Sequence, residues 1–296
     1  MARPIPTFIS DDEAAALVPD GAVIALGGWV FHQQPMSLVR ALVRRSARHL
    51  TLIPAPGSIA PDLLIGAGCA SALQVMFISF EELGMAPHFR RAAEAASIAI
   101  TEIDGPAFAG GLRAAASGLP WMPIPDLGTD LPRVSPQVYR RLDDGSGLLS
   151  VPAIVPDIAL LHAQQADEQG NIQYFGGTAF DILIAQAART TIVSVDRVVS
   201  SWEAAQATHL TRLPRAFVDH VVAAPFGAHP TSSAGLYRAD EDALSAYCRE
   251  AASADDPREQ TLAWAGSSAD DYTDRIPGAR LAALTQRDGI ERTVSA

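Results

Sequence analysis

The chain has 296 residues, 48% of them hydrophobic, and 22 Lys plus Arg against 33 Asp plus Glu give a net charge of -11. That length can bury a sizeable α/β core, while the acidic balance repels phosphate backbones and argues against nucleic-acid binding. Cys69 and Cys248 stand far apart with no ligand cluster, and no apolar run approaches the ~20 residues that span a bilayer, so disulfides, zinc and a membrane anchor are not expected and a cytoplasmic location is.

Met1 to Asp20 is broken by prolines and an acidic run and does not read as a signal peptide. Ser10-Asp11-Asp12-Glu13 spells a capping box, which predicts a first helix from Asp11 to Val18. Asp20-Gly21 is a turn, Ala22 to Leu26 a short apolar strand, Gly27-Gly28 opens a loop, and Pro35 starts a helix. In that helix Leu38, Val39 and Leu42 form the apolar stripe, with Arg40, Arg44 and Arg45 expected to face water. Strands are predicted at 50–54, 73–79 and 98–103, and helices at 61–65, 87–97 and 107–117. From Pro120 to Gly147 prolines, glycines and acids replace the pattern, which predicts a long functional or partner-contacting loop.

Regularity returns with a buried strand at Asp157 to His162, then a hairpin turn over Ala166 to Asn171 leading into Ile172 to Phe175. A helix from Ala179 to Ala188, strands at 191–195 and 218–223 and a helix from Glu241 to Ala252 follow. Short strands alternating with helices predict a three-layer α/β/α fold around a mainly parallel sheet. Beyond Asp255 periodicity weakens, so residues 1–254 are expected to form the main domain and 255–296 a surface helix with a frayed end.

The loop after the first apolar strand is the leading candidate site. Two adjacent glycines leave the main chain bare where it turns, so a ligand can approach the Gly27 and Gly28 N–H groups, with Trp29, His32, Gln33 and Gln34 on the rim. His162, on a buried apolar strand, reads as a core residue, and His209, His220 and His229 lack metal-ligand spacing. Nothing around Asp196, Ser200 or Ser201 spells a nucleophile elbow, and the missing third glycine disfavours a dinucleotide site.

Taken together, Asp20-Gly21, Ile24 to Leu26, Gly27-Gly28 and Pro35 resemble the signature of the α subunits of family I coenzyme A transferases, with Trp29 where phenylalanine is usual and Gln33 where glycine is. Leu64 to Ala70, Val151 to Ile154, Pro156 to Asn171 and Pro225 to Pro230 are similar to further segments of the glutaconate branch. The resemblance implies one half of an α/β subunit pair, as a heterodimer or an α2β2 heterotetramer, that moves coenzyme A between carboxylic acids. The acyl-CoA thioester is then a substrate, with no permanent cofactor or metal. The nucleophilic glutamate belongs to the partner β subunit, so none of this chain's residues is expected to be catalytic. This chain supplies the acyl pocket: Gly27, Gly28, Trp29, His32, Gln33 and Gln164, whose donors would stabilise a thioester oxygen or a substrate carboxylate.

Two other readings follow from the same scaffold. A ring-opening acyl-CoA hydrolase would carry an acid on this subunit shortly after a strand, where Glu102, Asp104 and Gly105 stand, and Gly105 falls at the place of that acid. A non-catalytic metabolite-binding module would need no second subunit. Phe80-Glu81-Glu82-Leu83-Gly84 is the nearest local likeness to the β-subunit glutamate segment and reads as a solvated acidic pair capping the next helix.

Overall fold

The computed structural model describes residues 5–285. Its thirteen strands are, in chain order, β1 Thr7–Ile9, β2 Val23–Leu26, β3 Leu50–Pro54, β4 Ala70–Val75, β5 Ala99–Glu102, β6 Trp121–Pro125, β7 Arg140–Arg141, β8 Leu148–Pro152, β9 Ile158–Asp167, β10 Ile172–Gln173, β11 Thr190–Val199, β12 Thr211–Leu213 and β13 His220–Ala223. The α-helices are α1 Asp11–Ala16, α2 Met36–Arg45, α3 Ile59–Gly66, α4 Pro87–Glu94, α5 Gly105–Ala116, α6 Leu131–Val134, α7 Asp181–Ala187, α8 Ser201–Ala205, α9 Glu241–Ser253, α10 Pro257–Ala265, α11 Ala269–Asp274 and α12 Gly278–Leu284.

Eight strands form a parallel sheet in the order β1-β13-β11-β9-β2-β3-β4-β5. β10 runs antiparallel beside the end of β9 and pairs with β12. Alternate side chains of the central strands go to opposite faces. Ile24, Leu26, Leu160 and Ile192 pack with α1, α2 and α3 on one side, whereas Ala25, Leu161, Val193 and Val221 pack with α5 and α7 on the other. The three-layer α/β/α arrangement expected from the alternation is therefore the observed one. β9 is buried along its whole length, the mark of a central strand covered on both faces.

The Ser10 capping box forms as spelled, with Glu13 reaching back to the Ser10 N–H. Three other expectations are corrected. Arg40 is buried: its Nη1 donates to the His229 carbonyl at 2.8 Å and its guanidinium lies 3.6 Å from the Tyr272 ring centroid. Arg44 is largely covered as well, held by Asp11 and Asp12 at 2.8 and 2.9 Å. The stretch from Pro120 to Gly147 is not one long loop, because β6, α6 and β7 fall within it and β8 joins them in a three-stranded antiparallel sheet ordered β6-β8-β7.

After Asp255 three short helices stand where one was expected, with Thr261, Ala265, Tyr272 and Leu284 turned inward. The frayed C-terminal end lies outside the described residues. Among those described, no helix is long and apolar enough to cross a membrane.

Candidate active site

The sheet order makes the carboxyl ends of β2 and β9 a switch point. β2 hands on to β3 on one side and β9 to β11 on the other, which opens a crevice between them where open α/β sheets bind ligands. Gly27 and Gly28 stand at the β2 end of that crevice.

The predicted donors at the glycine pair are already engaged. The Gly27 N–H donates to the Leu160 carbonyl at 3.0 Å, extending the β2–β9 ladder, and the Gly28 N–H donates to Asp181 Oδ1 at 2.8 Å. The glycines are needed because Asp181 comes so close: a Cβ on Gly27 would lie 2.5 Å from Asp181 Oδ1 and 2.5 Å from Leu161 Cδ2. Gly28 adopts φ +87°, and a Cβ there would meet the His32 carbonyl oxygen at 2.7 Å. The bare backbone admits Asp181 and Leu161 at Gly27 and the tight turn to His32 and Gln33 at Gly28.

Asp181 opens α7 and is fully buried. Burial pushes its carboxyl up to about 7, against the opposing pull of the Gly28 N–H and the Tyr174 hydroxyl. Asp181 Oδ2 and the Tyr174 hydroxyl are both buried, and neither reaches a partner in hydrogen-bond geometry. Sequence reasoning missed Asp181, because nothing local marks an acid 153 positions away as the partner of Gly28.

Trp29 and His32 are exposed on the rim, whereas Gln33, expected beside them, is buried at 4% exposure. Trp29 is 44% exposed and stacks on Phe180, the residue before Asp181, at 6.3 Å between ring centroids. Phe180 in turn meets Phe108 edge-on at 4.9 Å. Trp29 and His32 exchange backbone hydrogen bonds of 2.8 and 2.7 Å, which folds the loop into a tight ring. Gln33 stands at φ +55°, the left-handed region that glycine enters freely, which gives a physical reason for glycine being usual at this place in the resembling signature. Gln34 turns inward, bonding the Val30 carbonyl, Ser58 Oγ and the Ala60 N–H.

The segment Thr231–Ser233 fastens the loop. His32 Nδ1 lies 2.6 Å from Ser232 Oγ, the Gln33 N–H donates to the Ser232 carbonyl at 2.8 Å, and Thr231 Oγ1 accepts from the Gln34 N–H at 3.2 Å. Beneath it lies a buried polar network. Gln164 Nε2 donates to Ser233 Oγ at 3.0 Å, and Ser233 Oγ donates to Asp196 Oδ2 at 2.6 Å. Asp196 also receives Tyr237 OH at 3.1 Å, and His162 Nε2 lies 3.0 Å from its Oδ2, with Ser194 Oγ 2.9 Å from the other ring nitrogen. Gln164 is therefore placed under the loop rather than on its surface, with its carbonyl oxygen taken by the Phe175 N–H at 2.9 Å. His162 is the satisfied core residue that its strand predicted.

The remaining acids occupy other positions. Asp104 caps α5 through the Ala107 N–H at 2.8 Å, and Glu102 ends β5 exposed. Glu81 and Glu82 lie exposed on a 3-10 turn before α4. Burial pushes the Cys69 thiol up to about 11 and the Cys248 thiol up to about 12, so neither offers a thiolate nucleophile near neutral pH. A cavity of about 610 Å³ lined by Trp264, Tyr272, Arg275 and Pro277 contains none of the predicted site residues.

Comparison with known proteins places this crevice in context. The chain is similar to the cholesterol ring-cleaving hydrolase IpdA subunit of Rhodococcus jostii, 36% identical over 89% of this chain and 93% of that one. It is also similar to a glutaconate CoA-transferase subunit of Acidaminococcus fermentans, 28% identical over 94% of each chain. Among solved structures, that organism's glutaconate coenzyme A-transferase superposes with a TM-score of 0.86, at 27% identity over 96% of both chains. A variant of the decarboxylase AibA/AibB superposes with a TM-score of 0.78, at 34% identity over 89% of this chain and 98% of that one. The family model described as "Coenzyme A transferase" matches residues 9–224, a span that starts at the last residue of β1 and takes in every other strand of the parallel sheet and its switch point. With sheet, crevice and matched span coinciding, the chain belongs to the coenzyme A transferase family.

Proposed function

We propose that this chain is the α-type subunit of a heteromeric coenzyme A transferase and shapes the acyl pocket while a β subunit provides the nucleophile. The observation that carries this reading is the match to the glutaconate CoA-transferase subunit of Acidaminococcus fermentans, which runs across 94% of both chains. The geometry is in keeping with it: the carboxylate that touches the glycine pair, Asp181, is sealed inside and already holds the Gly28 N–H.

In the proposed reaction a glutamate carboxylate of the partner attacks the acyl-CoA carbonyl and expels the thiolate, leaving a mixed anhydride. The thiolate then attacks the glutamyl carbonyl of that anhydride, which releases the first acid and leaves a glutamyl-CoA thioester. The acceptor acid repeats the two steps in reverse order, and the thioester's energy is conserved throughout. Trp29 and His32 line the acyl entrance with Gln33 buried behind them, and Gly27 and Gly28 hold the loop in register through Leu160 and Asp181. The substrates are then an acyl-CoA and a free carboxylic acid.

Reconstitution with its β subunit tests the reading. The pair is expected to exchange coenzyme A between acids, and this chain alone to be inactive. Robust turnover by the isolated chain, or a thioester trapped on one of its own glutamates, would overturn it.

A ring-opening hydrolase is the second reading, favoured by the 36% identity to the cholesterol ring-cleaving hydrolase IpdA subunit. Against it, Gly105 stands where that reading wants an acid, with nothing within 4 Å of where its Cβ would be. Acyl-CoA consumption with no acceptor acid present would move the assignment to the hydrolase.

A further inference from the structure

Arg197 pairs across the sheet with Gln165, β11 against β9, at the same carboxyl edge as the crevice. Its Nη2 donates to Gln165 Oε1 at 2.6 Å, and the guanidinium sits 5.7 Å from the Phe175 ring centroid. Its Nε is buried with no partner, and no carboxylate among the described residues forms an ion pair with it. Arg40 and Arg91 are also covered without a carboxylate, but Arg40 lies over the Tyr272 ring and donates to the His229 carbonyl, and Arg91 donates to the Ala251 and Ala252 carbonyls, whereas Arg197 has one side-chain amide as its hydrogen-bond acceptor. Withdrawing a cation from water without a counter-charge is costly. Sites that receive an anion later have reason to carry that cost.

The arginine is also held in place. Gln165 Nε2 donates to Gln173 Oε1 at 2.6 Å, and Gln173 Nε2 is fixed by the carbonyls of Ala204 and Ala207 at 2.9 and 3.1 Å. This buried amide relay engages Nη2 and Nε is buried, which leaves Nη1 as the part of the guanidinium that can meet an oxyanion. Phe175 begins the turn whose Gly177 carbonyl lies 3.5 Å from Gln33 Nε2, so Arg197 and Gln33 contact the same short segment.

We infer that Arg197 is an oxyanion-receiving residue of the acyl-CoA site, its ligand either a second carboxylate on the acyl group or a phosphate of coenzyme A. The inference rests on the transferase reading above and deepens it toward substrate class.

The test uses the reconstituted α/β pair with acetate as acceptor and three donors: glutaryl-CoA, pentanoyl-CoA and 3′-dephospho-glutaryl-CoA. If the anion is the distal carboxylate, Arg197→Gln lowers kcat/KM for glutaryl-CoA by about tenfold to a hundredfold and leaves pentanoyl-CoA within about twofold. If it is the coenzyme A phosphate, both donors fall together, and the wild type loses a similar factor with the dephosphorylated donor. Arg197→Lys keeps the charge but not the fork and is expected to fall between, which guards against a glutamine variant that fails to fold. Wild-type kinetics for every donor in both variants would overturn the inference. Should the wild-type pair turn over no acyl-CoA, the activity reading fails on its own. Calorimetric binding of glutaryl-CoA to wild type and Arg197→Gln then decides the inference separately, with equal affinities counting against it.

Discussion

Gly28 and Asp181 are joined by a buried hydrogen bond of 2.8 Å, from the glycine N–H to the carboxylate Oδ1, across 153 residues of chain. The bond ties the loop after β2 to the start of α7. It also commits a carboxyl to an interior where its ionisation is costly, and the consequences can be measured.

Because burial raises the Asp181 carboxyl to about 7, the folded state holds its proton more tightly than the unfolded chain, where an aspartate titrates near 4. The stability this confers is fully present below about pH 4 and is lost as pH rises through about 7, amounting to at most about 4 kcal/mol. Asp181→Asn keeps an acceptor for Gly28 and removes the titration. Urea unfolding between pH 4 and 8 should therefore show a downward slope for the wild type that is flattened in the variant.

Gly27→Ala places a methyl group 2.5 Å from both Asp181 Oδ1 and Leu161 Cδ2. Neither neighbour is free to move aside, since both are fully buried. A loss of about 1–3 kcal/mol is expected, seen as a Tm lowered by roughly 2–5 °C. Transferase activity of the reconstituted pair should fall by more than the unfolded fraction accounts for.

Trp29→Ala separates pocket from scaffold. Trp29 is half exposed, and its main intramolecular contact is the stack on Phe180, so the fold should lose only about 1 kcal/mol. If Trp29 walls the acyl entrance, kcat/KM drops at least about tenfold with little change in Tm. A Tm drop without a kinetic effect would make Trp29 merely structural.

Ser233→Ala breaks the buried chain from Gln164 to Asp196 and leaves a donor and an acceptor each one partner short. The expected cost is about 1–3 kcal/mol. Asp196→Asn touches the same chain, so in a double-mutant cycle the two changes should fall short of additivity by about 0.5 kcal/mol or more.

Gln33→Gly removes a side chain from a left-handed position. Relief of about 1 kcal/mol of backbone strain is offset by the extra freedom that glycine has in the unfolded chain, so stability should change little. A rise in KM alone would mark the Gln33 amide as a substrate contact.

The central sheet was legible because its signals are local. An apolar run at 22–26, a glycine pair and Pro35 define β2, its loop and α2 without reference to the rest of the chain, and Ser10 with Glu13 defines the start of α1. β6 escaped because Pro123 and Pro125 interrupt its alternation. As an edge strand bonded on one side to β8, it tolerates residues that lack an N–H. Arg40 escaped because its helical position resembles that of a solvated arginine, and only Tyr272 and the His229 carbonyl, both distant in sequence, account for its burial. The rim residues Trp29 and His32 could be read from one loop, but the burial of Gln33 could not. Asp181, Ser232 and Arg197 could not, since their meaning lies in partners brought together by folding.

The stitching of His32 to Ser232 spans 200 positions. While the protein is being synthesised, β2 and its glycine loop leave the ribosome about 200 residues before the Thr231–Ser233 segment that fastens them. A nascent chain halted before Thr231 would carry the strands from β1 to β13 and still lack the clasp that fastens the loop, so this chain's share of the pocket matures after its sheet.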